Sequence, residues 1–399
     1  MKIHLTGILQ DAMLKAATLT DINNYYEAIL MNTLTGNTDF HDIHFDSIQT
    51  LRGIAALFVL IEHIRFLACG AFGVDIFFCI SGFIIMLTTH KHTAYFLRKR
   101  LLRIVPFYYL MTIGTFGLLL LFPSMFEQTQ ADLSYLIRSL LFLPFDMGGG
   151  TLQPLLRIGW TVNCEIFFYL LFALALRLSH KYRGLICSLL LVLCVLTGAL
   201  LSGGNTWTGD SLTDAGGNIS ALLAPIYFFA NPIMLEFILG ILCYYAARAG
   251  YTLVQKLPDR TVRLISTVAL LTAVVLLLGL LLTYSSVNVL GYRRLLYRGL
   301  PALLILVCFL LCGFGLSMPA PCVKLGNISF SIYLIHYYPI MLMDRKIFDF
   351  SSLTLRSVIG ALLGSVIVIA LAAAAWYIIE QKLTGWLRRK LFSSTSQNK

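Results

Sequence analysis

The sequence predicts an all-α polytopic membrane protein of about ten transmembrane helices with both termini cytoplasmic, and three observations carry that expectation. Of 399 residues, 58% are hydrophobic and only 12% charged, with a mean hydropathy of +0.81, far outside the range of soluble domains. Apolar runs long enough to cross a bilayer, or nearly so, recur at 54–69, 72–89, 104–122, 159–176, 184–202, 224–247, 264–283, 299–316, 326–343 and 357–379. With the N-terminus inside, the inner segments hold 21 Lys and Arg and the outer loops 8, which is the bias expected of cytoplasmic loops.

The net charge of +11 follows from those inner segments. It reads as orientation and contact with lipid headgroups, and no nucleic-acid partner is expected. Nine cysteines lie mostly inside apolar runs and read as small packing residues. No metal site is expected: Cys308 and Cys312 are one turn apart without a nearby His or carboxylate, and His41 with His44 reads as a solvated turn. Residues 1–47 form a polar cytoplasmic extension, 48–385 the membrane domain and 386–399 a basic cytoplasmic tail.

The first span holds Arg52 and His63. Eleven helical steps of about 100° close to within about 20° of three full turns and rise about 16 Å, so the two side chains share a face at different depths. Both are costly in hydrocarbon unless paired or used. The second span opens Gly73-Val-Asp75-Ile-Phe-Phe and continues to Ser81-Gly82, a small pair suited to close helix packing. Asp75 either caps this helix or holds Arg52 or His63.

The basic stretch from His90 to Arg103 leads into the third span with Arg98, Arg100 and Arg103 at the inner surface. It is either an anchor for anionic lipid or a site for a phosphorylated donor. The outer connection 123–158 includes an interfacial stretch, Leu133 to Leu143, and in the loop 203–220 Trp207 reads first as a headgroup-level anchor, with carbohydrate contact by Trp207 and Asp210 as the alternative. The fourth span opens Trp160-Thr-Val-Asn-Cys-Glu165 and continues to Tyr169, an i, i+4 neighbour of the glutamate. Glu165 either pairs with an Arg or accepts a proton. Glu236 lies in the sixth span, and the ninth carries a polar stripe, Ser329, Tyr333 and His336, on one face. Glu380 lies at the inner end of the tenth.

Taken together these segments resemble acyltransferase family 3, integral membrane proteins that move acyl groups, most often acetyl, onto sugars of surface polysaccharides, lipopolysaccharide or glycolipids. The resemblance covers about residues 48–385. It rests on the Arg52-x10-His63 pair, the Gly73 to Phe83 run, Arg103-Ile-Val-Pro106, the Trp160 to Tyr169 run, the Ile328 to His336 run and Glu380.

Joined to the residue readings, it implies an O-acyltransferase of the bacterial inner membrane. Acyl-CoA, acetyl-CoA first, is the expected donor substrate, no permanently bound cofactor is expected, and the acceptor is a carbohydrate or glycolipid. Arg98, Arg100 and Arg103 would take the donor's phosphates. His63, with a reference pKa of about 6.5, would act as general base, directly or through an acyl-enzyme. Arg52 and Glu165 complete the expected catalytic set, with Asp75, Trp160, Tyr169, Ser329, Tyr333 and His336 supporting it or orienting the acceptor. A proton-coupled transporter is the rival reading, since internal Arg, His and Glu also suit an ion path.

Overall fold

In a computed structural model the described residues are 39–91, 94–126, 131–146, 152–202, 224–283 and 291–392. The expectations for residues 1–38, and for Trp207 and Asp210, lie outside them. The chain divides by its contacts into a main unit, Phe45–Ala247 with Pro258–Lys399, and a second unit to which Arg248–Leu257 belongs. Every site residue below lies in the main unit.

Its helices in chain order are α1 (Asp46–Glu62), α2 (Phe72–Thr88), α3 (Phe96–Leu121), α4 (Leu133–Leu140), α5 (Trp160–Leu178), α6 (Arg183–Leu201), α7 (Ala224–Phe229), α8 (Leu235–Val254, running on into the second unit), α9 (Asp259–Thr283), α10 (Leu300–Gly315), α11 (Ala320–Asn327), α12 (Ser329–Ile335), α13 (Tyr337–Met343), α14 (Leu355–Ala375) and α15 (Thr384–Phe392). A two-stranded antiparallel hairpin, β1 (Phe145–Asp146) and β2 (Leu152–Gln153), follows α4. Among the described residues seven helical runs are long and apolar enough to cross a membrane, and α2 is a shorter apolar helix. The chain is a multi-pass membrane protein.

The departures from the expected spans carry the structure's information. The first helix is displaced: α1 starts at Asp46 and stops at Glu62, and turns occupy 63–71. The Glu62 carboxylate accepts hydrogen bonds from the backbone N–H groups of Gly70 (2.7 Å) and Ala71 (3.0 Å), satisfying donors just before α2. The sixth span is interrupted between α7 and α8, where the Asn231 side chain accepts from Ile233 N. The ninth is divided into α11, α12 and α13. Pro339 has no N–H to return to the carbonyl of Ile335, so the helix loses a bond where α12 ends and His336 begins a new segment.

Close backbone approach fixes how these pieces meet. A Cβ added at Gly326 of α11 would lie 1.8 Å from the Gln49 carbonyl oxygen of α1, and one at Gly53 would lie 2.9 Å from Gly326 N. The expected small-residue contact of Gly82 is realised against α8, where a Cβ would meet Phe237 O at 2.1 Å. Ala56, Leu60, Ile332, Ile340, Ala361 and Val368 then bury α1, α12, α13 and α14 in one apolar cluster. The broken ninth segment is thereby pressed along α1.

Candidate active site

His63 follows the last residue of α1 with φ −90° and ψ 2°. It caps the helix end instead of lying within a span, and it remains half-buried. Its Nδ1 is 3.0 Å from Val59 O and 3.2 Å from Nε2 of His336, whose ring is fully buried. His336 Nδ1 lies 2.7 Å from Tyr333 O. A carbonyl only accepts, so the neutral His336 ring carries its proton on Nδ1 and offers a lone pair at Nε2. His63 Nδ1 must then donate toward both Val59 O and His336, leaving the lone pair of His63 on Nε2. The two rings meet edge to face at 4.7 Å, and Tyr337 meets His63 at 5.4 Å.

Tyr333 is tied elsewhere. Its hydroxyl donates to Ile158 O (2.8 Å) and accepts from Thr161 at 2.6 Å. Trp160, at the start of α5, packs edge-on against Phe78 at 6.4 Å. Ser329 is fully buried, and no partner is found for its hydroxyl among the described residues.

At the opposite end of α1, Arg52 donates to Gln49 Oε1 (3.1 Å) and lines a cavity of about 390 Å³ with Arg103, Asn327, Trp376 and Glu380. Glu380 accepts from Ser331 Oγ at 2.5 Å, which ties α12 to the π-helical turn Trp376–Leu383 that follows α14. Arg52 and His63 both face the divided ninth segment, one beside Asn327 and the other beside His336. The shared face is therefore found, but the cavity is lined at the Arg52 end and His63 is not among its lining residues.

Of the three arginines expected to take the donor, Arg103 lines the cavity. Arg98 lies over the Tyr95 ring (5.6 Å) and Arg100 donates to Thr88 Oγ1 (2.7 Å) while lying over Tyr169 (5.6 Å). Glu165 accepts from Ser81 Oγ (3.3 Å) and from the Tyr169 hydroxyl. These pairs place Glu165 and Tyr169 together, as their i, i+4 spacing predicts. Of the two openings left for Asp75, capping and holding Arg52 or His63, neither describes its partner: both its oxygens take Arg294, at 2.9 Å each, and its side chain is wholly buried. Glu236 is also fully buried, and no hydrogen-bond partner is found for its carboxylate among the described residues. Arg294 was not among the residues expected at the site, and its one signal in the sequence is the Arg293-Arg294 pair beside an apolar run.

Residues 45–379 match the family model described as an acyltransferase domain, acyltransferase 3. The chain belongs to this acyltransferase family. It is accordingly an enzyme that transfers acyl groups other than amino-acyl groups. The chain is also 28% identical over 287 residues to the exopolysaccharide production protein ExoZ of Rhizobium meliloti (strain 1021), covering 69% of this chain and 78% of that protein. No solved structure matches it.

Proposed function

We propose that this acyltransferase moves an acyl group, acetyl first, from cytoplasmic acyl-CoA to a hydroxyl of a cell-surface polysaccharide or glycolipid sugar, with His63 as general base. The observation that carries the proposal is the hydrogen-bond chain His63–His336–Tyr333 O, which leaves the lone pair on His63 Nε2. The relative named for exopolysaccharide production supports a polysaccharide acceptor. The excess of Lys and Arg in the inner segments favours cytoplasmic termini and a donor side at the Arg52 end, and the bacterial source of that relative favours a bacterial inner membrane.

The chemistry balances on one histidine. The acceptor hydroxyl gives its proton to His63 Nε2 as its oxygen bonds to the thioester carbonyl carbon. The C–S bond then breaks, and the thiolate of CoA takes the proton from the imidazolium. Arg52 and Arg103 suit the negative charge of the donor at the cavity. The rise of about 16 Å from Arg52 to His63 is the reach required of the arm between the donor's phosphates and its thioester. In this reading the arm reaches from the cavity at the Arg52 end toward His63.

Purified protein in liposomes, supplied with acetyl-CoA and an oligosaccharide acceptor, tests this directly. Release of free CoA with acetylated acceptor is expected, and both should vanish in His63→Ala. Passage of acceptor across the bilayer without CoA release would replace transfer with transport.

A further inference from the structure

His63 and His336 sit on segments that are far apart in the chain, and their contact of 3.2 Å is near the limit of a useful hydrogen bond. Two residues beyond His63, in the turn that ends α1, Arg65 crosses to the segment that follows α13. Its Nε is 2.7 Å from Asp344 Oδ2, and its Nη2 is 2.8 Å from Asp344 Oδ1 and 2.8 Å from Asp349 Oδ1. Asp344 is eight residues beyond His336, and its Oδ1 also accepts from Phe350 N at 2.6 Å. Under the ion pairs, Phe66 meets Phe350 edge to face at 6.0 Å, and Ile64, Phe350 and Ile340 are buried together.

We propose that Arg65 is a positioning residue for the acyl transfer: its forked ion pair with Asp344 laces the turn bearing His63 to the segment bearing His336 and keeps the two rings in hydrogen-bond register. The inference rests on the assignment of His63 as base. Two parallel charge-assisted bonds constrain direction as well as distance, which a single contact would not. The two carboxylates contribute unequally. Asp344 is 10% exposed and takes both forks, whereas Asp349 is 72% exposed and its single ion pair is open to water and salt. The Asp349 carboxyl is held below the ordinary carboxylate range first by the Ser351 backbone N–H and also by Arg65, so it stays ionised at neutral pH.

Two measurements on full-length protein in liposomes test the lacing. Acetyl transfer from acetyl-CoA to an oligosaccharide, counted per folded molecule, should lose at least about tenfold in kcat in Arg65→Ala, with KM for acetyl-CoA unchanged because the Arg52 cavity is at the other end of α1. Asp349→Asn should stay within about twofold, and Arg65→Lys, which keeps the charge but not the fork, should recover part of the loss. Independently of turnover, modification of His63 by diethyl pyrocarbonate, mapped by peptide mass, should run several-fold faster in Arg65→Ala. Normal kcat per folded molecule and an unchanged modification rate in Arg65→Ala would overturn the proposal. If the wild type releases no CoA at all, the base assignment fails, while the modification rate still reports whether Arg65 holds the rings together.

Discussion

A histidine serves as a base only through the nitrogen that its neighbours leave unprotonated, and for His63 those neighbours are Val59 O and His336 Nε2. Turnover should therefore fall by about 10² to 10⁴ in His63→Ala, the usual worth of a positioned acid–base group, with the folded protein retained. An imidazolium cannot accept the proton, so the wild-type rate should drop about tenfold per pH unit once the medium is acid enough to protonate His63, and the residual rate of His63→Ala should lack that limb. A pH–rate profile of both proteins decides it. At Asp75 the prediction concerns stability. Removing one partner of a buried ion pair leaves a lone charge, at a typical cost of about 3–5 kcal/mol. Arg294→Ala should sharply lower the thermal transition, and Asp75→Ala in that background should recover part of it.

Among the elements, α1 and the divided ninth segment decide the site. Gly326→Ala has no room, since the new Cβ would lie 1.8 Å from Gln49 O. Overpacking of this kind typically costs about 1–3 kcal/mol. The variant should melt earlier and bind acetyl-CoA more weakly, because Gln49, Arg52 and Asn327 line one cavity. The basic stretch separates in the same way. Arg103→Ala should raise KM for acetyl-CoA several-fold at near-normal kcat, whereas Arg98→Ala, whose side chain lies on an exposed tyrosine, should be nearly silent. Substrate titration of the two variants checks this. The extent of α1 was misjudged from sequence because Ile64, Phe66 and Leu67 prolong the apolar run past Glu62. Hydropathy registers transfer to apolar surroundings and is blind to a helix whose last carboxylate takes the backbone N–H groups of Gly70 and Ala71 in the turn beyond it.

For the whole molecule, Arg65, counted within the expected first span, lies beyond the end of α1 and would join the expected outer loops, where the Lys and Arg count would still fall well below that of the expected inner segments. The orientation predicts that a tag at either end is cleaved by protease only from the cytoplasmic face of sealed vesicles. Composition and apolar length were sufficient for a helical membrane protein, because every backbone group in hydrocarbon must be satisfied within its own helix. Local spacing was sufficient for Glu165 with Tyr169, and for Arg52 and His63 on one face, since both follow from the helical period. The pairs that give these residues their chemistry lie beyond any local period. Asp75 meets Arg294 across 219 residues, His63 meets His336 across 273, and Arg65 meets Asp344 across 279. A charge in an apolar run announces that it needs a partner. Which partner it receives depends on the helices that packing brings alongside, and that information resides in the assembled fold.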